Sequence, residues 1–336
     1  MNIENRIDIV KDILKDKKVA IGFSGGADST LIAYLSSKVA EETLAITIDN
    51  HLMPTNFINH AKNMCNLFGI RHEIIDIDFY DDEEFLSNSS SRCYTCRNLM
   101  YTKIKKLAMK EGFDFICDGN NISDLVNDRP GILITYAQGF ETPLIKAKLT
   151  SKDIHEYLDK NHVKYSKSTT CLATRIPTNT PTTREKIERI SHGEDYILSN
   201  TNCEIVKVRD FEEFCICEVD KISEILEDDK FMLINDELNG LGWQKVTLNL
   251  SQIDDNDKIT IDYYEGSFSY KLPFKINIEN SKKQLKNEIT FENENQIKIE
   301  NIEINENGLI KGNNFKSYEN ALDNFMELLP KLRRNV

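Results

Sequence analysis

Short apolar runs alternate with longer amphipathic segments over the first half of the chain. The runs have the length of buried strands, and the segments between them carry apolar residues at helical spacing. The predicted strands are residues 19–23, 44–48, 72–77 and 113–117. The predicted helices are residues 3–14, a segment from residue 30 onward, 54–68 and 98–110. This alternation indicates an α/β fold with a doubly wound parallel sheet, in which ligands bind at the carboxyl ends of the strands.

The pattern changes after about residue 165. Two strands follow one another closely after about residue 203, which predicts an antiparallel pair rather than a further parallel unit. The predicted elements are a helix over 185–198, strands over 204–209, 213–219 and 246–250, and a closing helix over 318–332. We therefore predict three regions: residues 1–165 with the parallel sheet, a smaller α+β region over 166–253, and a β-rich C-terminal extension over 254–336. The pattern assigns no chemistry to this extension.

Composition narrows the class of protein. The chain has 336 residues, 40% of them hydrophobic, and no uninterrupted apolar segment long enough to cross a membrane. The first residues have neither the basic start nor the apolar core of a signal peptide, so we expect a soluble cytoplasmic protein with reduced thiols and no membrane partner. The formal net charge of −13 disfavours a nucleic-acid partner, because nucleic-acid binding usually needs a basic surface.

A glycine turn joins the first predicted strand to the following helix. It contains Ser24, Gly25, Gly26, Asp28 and Ser29. Two adjacent glycines let the backbone N–H groups turn inward at a helix N-terminus, which forms a site for a phosphate-sized anion. The carboxylate of Asp28 is placed to hold Mg²⁺ that bridges phosphates. These residues resemble the pyrophosphate loop, S-G-G-x-D-S, of ATP pyrophosphatases, and the resemblance implies ATP and Mg²⁺ as cofactors. The alternative is an ordinary strand-to-helix turn with capping residues.

Three of the eight cysteines are candidate ligands. Cys93 and Cys96 form a C-x-x-C pair, and Cys171 lies in a second segment without helical periodicity. Three thiolates suit a soft metal or an iron–sulfur cluster, whereas a structural zinc site normally has four protein ligands. A redox dithiol, or small residues at a helix start, are the alternatives for the pair. The other five cysteines lie in apolar patterns and are predicted core residues.

Several ordered motifs resemble the ATP-dependent sulfur transferase LarE family. The most specific is the Cys-Leu-x-x-Arg-Ile-Pro segment over 171–177, and the resemblance spans about residues 3–250. The other matching segments are Arg92-Cys93-Tyr94-Thr95-Cys96, Asp118-Gly119-Asn120, Asp128-Arg129-Pro130-Gly131, Pro143-Leu144 and Val208-Arg209. The resemblance implies that Cys93, Cys96 and Cys171 hold a [4Fe-4S] cluster, as in the three-cysteine members of the family. The C-terminal extension and Thr178-Asn179, where Tyr-Gly is usual, depart from the family pattern.

The family resemblance also implies a substrate. It is a pyridinium biscarboxylate mononucleotide, whose carboxylates are adenylated and then sulfurated toward a nickel-pincer cofactor. Because arginine suits phosphate and carboxylate groups, the candidate substrate contacts are Arg129, Arg175 and Arg209, together with Glu194, for which Asp195 is the rival. The implied partners are this small anionic carboxylate and a sulfide source or sulfur-donor protein, and a homo-oligomer is compatible with the sequence.

The predicted function is therefore an ATP-dependent sulfurtransferase with Asp28 and Cys171 as catalytic residues. A tRNA thiolase, which pairs the same loop with a cysteine-bound cluster, is the first alternative. The second is a non-catalytic sulfide or cluster carrier with a vestigial nucleotide fold. Salt-dependent tRNA binding would favour the thiolase, and pyrophosphate release that depends on a carboxylate substrate would exclude the carrier.

Overall fold

The computed structural model describes residues 2–129, 131–167, 170–227, 229–253 and 259–335. Pro130, Ser168, Thr169 and residues 254–258, which belong to the motifs and to the start of the predicted extension, lie outside the described residues. The helices are α1 Ile3–Leu14, α2 Ala27–Val39, α3 Phe57–Phe68, α4 Glu83–Leu86, α5 Arg92–Lys110, α6 Ile122–Val126, α7 Ile132–Gln138, α8 Pro143–Lys146, α9 Ser151–Lys160, α10 Arg184–Asn200, α11 Ile222–Leu226, α12 Lys230–Gly240, α13 Ile278–Leu285 and α14 Tyr318–Leu328. Short 3-10 helices cover Leu172–Arg175, Lys286–Glu288 and Leu329–Lys331.

The strands form three sheets that follow one another along the chain. The strands are β1 Lys18–Gly22, β2 Glu42–Asp49, β3 Arg71–Asp76, β4 Phe115–Cys117, β5 Val206–Phe211, β6 Phe214–Val219, β7 Lys245–Leu248, β8 Asp262–Tyr264, β9 Ser267–Lys271, β10 Ile289–Glu292, β11 Gln296–Ile299, β12 Ile302–Asn305 and β13 Leu309–Gly312. The first sheet has the order β3-β2-β1-β4, the second β5-β6-β7 and the third β10-β11-β12-β13-β9-β8.

The first sheet is parallel throughout and is covered on both faces. Val19 and Ile21 of β1 point into a core with α1, α2 and α3, whereas Ala20 points into a second core with α5 and α7. Neighbouring strand residues therefore meet different helices, which is why these strands are apolar without alternation. The predicted doubly wound parallel sheet is confirmed.

The second sheet begins with the predicted antiparallel pair, since Val206 is opposite Val219 and Phe211 is opposite Phe214. Strand β7 then pairs parallel to β6. Helix α10 packs on this sheet around the fully buried Trp243. The sequence analysis did not predict α12, because its exposed face carries the apolar residues Phe231, Met232 and Leu233 and hides the helical periodicity.

The third sheet belongs to the extension and is antiparallel throughout its six strands. Apolar and polar residues alternate along β11 and β12, with Ile297, Ile299, Ile302 and Ile304 buried. Helices α13 and α14 cover its inner face. Within the described residues, no helix combines the length and the apolar character needed to cross a bilayer.

One helix differs from its prediction in a way that matters for the site. Helix α5 begins at Arg92, six residues before the predicted start, so that Cys93 and Cys96 lie in its first turns rather than in a loop. The serine-rich residues before it obscured the start. Residues 83–86, just before these serine-rich residues, form the short helix α4, with Phe85 buried.

Candidate active site

The glycine turn lies at the carboxyl end of β1, as predicted. Gly25 has a φ of +73°, which favours glycine, and Gly26 is the N-cap of α2 without a side-chain capping bond. The Ser29 hydroxyl donates to the Gly26 carbonyl (3.2 Å) and lies 3.2 Å from the Ser24 hydroxyl. The N–H groups of the first turn of α2 thus remain available to an anion, which suits the phosphates of ATP.

Asp28 of this turn lies in an acidic cluster. Its carboxylate accepts a hydrogen bond from the Asn121 side chain (3.0 Å). Burial, followed by the nearby charge of Asp124, raises the pKa of Asp28 from 3.8 to about 7. A divalent cation would relieve both effects, because it replaces lost hydration and offsets the repulsion between carboxylates. The acidic cluster therefore fits Mg²⁺, with Asp28 as one ligand.

Two arginines balance these carboxylates. Arg129 pairs with Asp124, and Arg97 donates to Asp118 (3.3 Å) and to Asn120 (3.1 Å). Arg97, Asp118 and Asp124 were not among the predicted site residues. Their signals in the sequence are weak: Arg97 directly follows Cys96, and Asp118 directly follows a predicted strand.

Gly119 makes a close contact with the glycine turn. A Cβ atom at Gly119 would lie 2.9 Å from the Ser29 nitrogen and 3.0 Å from the Asp28 Cβ. Gly119→Ala must therefore displace the backbone that forms the anion site. We expect it to weaken ATP binding about tenfold or more, which is about 1.4 kcal/mol, as measured by equilibrium titration with MgATP.

The matched control is Gly240→Ala at the end of α12, where a Cβ atom would meet nothing within 4 Å. That variant should keep the ATP affinity and unfold at the same temperature or slightly higher, because alanine has the better helix propensity. Equal ATP affinity in the Gly119→Ala variant and the unaltered protein would contradict the assigned role of this contact.

Hydrogen bonds join the two segments that carry the three cysteines. Arg92, which is 7% exposed, donates to the Ala173 carbonyl (2.8 Å) and to the Asn88 side chain. The Asn88 amide in turn donates to the carbonyls of Pro177 and Thr180, both at 2.9 Å. These bonds join the start of α5 to the segment after Cys171 and so bring the three cysteines together from distant parts of the chain.

The thiols have the chemistry of soft-metal ligands. Burial, with smaller contributions from Cys171 and Cys93, raises the pKa of Cys96 to about 12, and burial also raises the pKa of Cys171. A bound metal would deprotonate such thiols. Tetrahedral zinc with Zn–S bonds near 2.3 Å places its sulfurs roughly 3.8 Å apart. The trio is not among the described groups whose ligand atoms all lie within 4.8 Å of one another, so it does not form a preformed single-ion site.

The glycine turn and the three cysteines border one cavity of about 430 Å³. Its lining includes the glycine turn, the acidic cluster and all three cysteines. The polar and sulfur-bearing residues that line it are Ser24, Asp28, Ser29, Asn50, Arg92, Cys93, Cys96, Arg97, Met100, Met53, Tyr101, Asp118, Asn120, Asp124, Arg129, Cys171 and Thr174. A nucleotide on the turn and a group held by the thiols would therefore face each other across a single space.

The predicted substrate contacts divide into two groups. Arg129 lines the cavity, whereas Arg175, Arg209 and Glu194 are not among the described residues that line it. Arg175 is 2% exposed and pairs with Glu194 (2.6 Å), and Arg209 pairs with Glu218 (2.8 Å). A substrate role for these residues and for the rest of the site stays a prediction.

The Arg175–Glu194 pair has a structural role that its motif position did not reveal. Arg175 donates to the hydroxyls of Thr170 and Thr174, on either side of Cys171, at 2.8 and 2.9 Å. Glu194 also accepts from the Val208 N–H (2.9 Å), and burial raises its pKa against the opposing effect of Arg175. The pair thus anchors the Cys171 segment to α10 and β5. Glu194 and Asp195 border a separate cavity of about 230 Å³ behind it.

Known proteins are similar in sequence to parts of this chain. The profile of the PP-loop domain family (ATP_bind_3) matches residues 1–139. An uncharacterized protein of Methanocaldococcus jannaschii is 28% identical over 72% of this chain and 92% of its own length. The pyridinium-3,5-bisthiocarboxylic acid mononucleotide synthase of Lactiplantibacillus plantarum is 24% identical over 70% of this chain and 87% of its own length.

A third relative shares a smaller part of the chain. It is a tRNA-specific 2-thiouridylase of Fusobacterium nucleatum, 31% identical over 39% of this chain and 38% of its own length. The longer match to the synthase confirms the resemblance that the sequence motifs carry. Residues 1–139 thus match the PP-loop domain family, and over about two thirds of its length the chain is similar to the synthase, which supports a LarE-like protein.

Proposed function

We propose that this protein is an ATP-dependent sulfurtransferase that adenylates a carboxylate of a small anionic substrate and replaces AMP with sulfide. The observation that carries the proposal is the shared cavity, which the PP-loop and the three cysteines line together. The relatives named as a bisthiocarboxylic acid mononucleotide synthase and a 2-thiouridylase support sulfur transfer as the general chemistry. A pyridinium biscarboxylate mononucleotide is the proposed type of substrate.

The first step uses the PP-loop end of the cavity. The N–H groups at the start of α2 hold the phosphates, and Asp28 holds Mg²⁺ beside them. A substrate carboxylate oxygen then attacks the α-phosphorus, the bond from that phosphorus to the bridging oxygen breaks, and pyrophosphate leaves. Arg97 and Arg129 line the same cavity, and their positive charge would stabilise the charge that develops on the α-phosphate.

The second step uses the cysteine end. Sulfide attacks the carbonyl carbon, the bond from that carbon to the AMP oxygen breaks, and a thiocarboxylate and AMP are released. Cys93, Cys96 and Cys171 would hold a [4Fe-4S] cluster, which would supply nucleophilic sulfide near neutral pH.

The test is an anaerobic incubation of the reconstituted protein with MgATP, sulfide and the pyridinium dicarboxylate mononucleotide. We expect one pyrophosphate for each oxygen that sulfur replaces, with the thiocarboxylate identified by mass spectrometry. Omission of ATP should stop both products. Pyrophosphate release without any sulfur-containing product, at full iron content, would overturn the proposed sulfur transfer.

The tRNA thiolase remains the second candidate because of the partial match to the 2-thiouridylase. Its test is direct: a salt-dependent affinity for bulk tRNA, followed by ATP-dependent thiolation of a base, would decide for it. The net charge of −13 favours the small-molecule substrate instead.

A further inference from the structure

The C-terminal extension shares a hydrophobic core with the PP-loop domain. Helix α6, the start of α7 and α8 contribute one side of this core, and the extension contributes the other. The buried residues from the first side are Ile122, Leu125, Val126, Ile132 and Ile145. Those from the extension include Phe268, Leu272, Phe325, Leu328, Leu329 and Leu332. Because a helix of five residues such as α6 is marginal by itself, its position depends on this packing.

The last residues of the extension contact the segment that follows α6. The Arg334 guanidinium pairs with Asp128 (2.6 Å) and lies 4.6 Å from the centre of the Phe274 ring. Its side chain is only 11% exposed. The backbone around it is fixed, since the Asn335 N–H donates to the Lys275 carbonyl (3.0 Å) and the Asn277 N–H to the Arg333 carbonyl (2.7 Å).

Helix α6 and the segment that follows it form part of the lining of the proposed ATP site. Asp124 and Arg129 line the large cavity, and they also line a narrow cleft against the extension, where they meet Leu272, Leu329 and Arg334. Arg129, the neighbour of Asp128, pairs with Asp124. Asp124 in turn accepts from the Asn121 N–H (2.9 Å), and the Asn121 side chain donates to Asp28 (3.0 Å). Ion pairs and hydrogen bonds therefore connect Arg334 to Asp28 of the PP-loop, except for one step along the chain from Asp128 to Arg129.

We propose that the extension positions the acidic end of the ATP site, with Arg334 as a positioning residue that acts through Asp128 on Arg129 and Asp124. The inference rests on the proposed binding of MgATP in the cavity, but not on sulfur transfer. The alignment with the Methanocaldococcus jannaschii relative covers 92% of that protein and 72% of this chain, so a large part of this chain has no counterpart there.

The test is MgATP affinity in full-length point variants. Arg334→Ala removes the ion pair and the ring contact, and we expect about tenfold weaker binding of MgATP, measured by equilibrium titration. Asp128→Asn removes the same ion pair from the exposed side and should weaken binding in the same direction. The exchange of charges in an Arg334→Asp, Asp128→Arg double variant should recover part of the affinity, which a general loss of stability would not do.

The matched control is Lys331→Ala. Lys331 lies three residues earlier and pairs with Glu288 (2.8 Å), entirely within the extension. It should leave the affinity for MgATP unchanged. If Arg334→Ala does not fold, Asp128→Asn decides, because the Asp128 side chain is 62% exposed and little packing depends on it. Folded Arg334→Ala and Asp128→Asn variants with unchanged affinity would overturn the inference, whereas a failure of the unaltered protein to bind MgATP would overturn the proposed function itself.

Discussion

Replacement of Cys171 by alanine is expected to abolish thiocarboxylate formation while ATP-dependent pyrophosphate release continues. The two activities separate because different residues of the cavity lining serve them, the PP-loop for the nucleotide and the thiols for sulfur. Cys93→Ala and Cys96→Ala should have the same effect, since a cluster with three protein ligands is bound much more weakly when one of them is removed. After anaerobic reconstitution, we expect about four irons per chain in the unaltered protein and a large loss in each variant.

Cys203→Ala is the matched control for these replacements. Cys203 is a buried cysteine whose thiol donates to the Lys221 carbonyl (3.5 Å), and it is not among the described residues that line the cavity. The control should keep its iron content and its sulfur transfer. Full iron retention in any of the three cavity variants would end the cluster proposal.

The same experiment separates a catalytic cluster from a sacrificed thiol. If Cys171 gave up its own sulfur, the Cys93→Ala and Cys96→Ala variants would still complete one turnover per chain, and mass spectrometry would find dehydroalanine at position 171. We expect neither result. Repeated turnover that requires all three cysteines, with Cys171 intact afterwards, is the outcome that the shared cavity supports.

The parallel sheet was predictable because its determinants are local. Each strand is a short apolar run, each helix has an apolar stripe, and the φ of +73° at Gly25 requires the glycine that the motif supplies. The antiparallel β5–β6 pair was predictable for the same reason, since only two residues separate the strands.

The convergence of the cysteines depends on contacts that the sequence pattern does not encode. Arg92 and Asn88 fix the Cys171 segment through bonds to residues more than eighty positions away. The motif position of Arg175 predicts a contact with an anionic substrate, which stays a prediction, but it gave no sign of the ion pair that Arg175 makes with Glu194. Sequence similarity identified the residues as important without indicating which of them face the cavity.

The extension was the least predictable part in its placement, although its β-rich character was correct. Its apolar residues alternate locally and therefore predict strands, but their partners on α6 lie well over a hundred residues earlier. No local pattern reports such a distant interface. The acidic residues Asp118 and Asp124 were overlooked for a related reason, because their proximity to Asp28 arises only when parallel strands end at one edge of the sheet.

Asp28→Asn is expected to stabilise the protein without nucleotide while it nearly abolishes pyrophosphate release. The folded protein raises the pKa of Asp28 from 3.8 to about 7, so the folded state binds more protons than the unfolded state between these values. Stability must therefore fall as the pH rises from about 4 to about 7, and the loss persists above that range. Asparagine carries no charge, so at pH 8 the variant should gain roughly 2–4 kcal/mol in its free energy of unfolding.

The loss of function follows from the same charge. A neutral amide offers Mg²⁺ a weaker ligand and leaves the charge of the phosphates less well balanced, so we expect pyrophosphate release to fall about a hundredfold or more. Thermal unfolding with and without MgATP measures the change in stability and the effect of MgATP on it, and a pyrophosphate assay measures the loss of activity. The unaltered protein should gain stability with MgATP, whereas the variant, already more stable, should gain little.

Asp76→Asn is the control for this last prediction. Asp76 ends β3 at the same edge of the sheet, but its side chain is 68% exposed and pairs with His51 (2.8 Å). Its replacement should change neither the unfolding temperature nor pyrophosphate release appreciably, because a contact between two exposed side chains contributes little. A destabilised Asp28→Asn variant at pH 8 would show that the carboxylate is held by favourable contacts rather than at a cost. The need for a cation to offset that cost would then no longer explain the position of the acidic cluster beside the PP-loop.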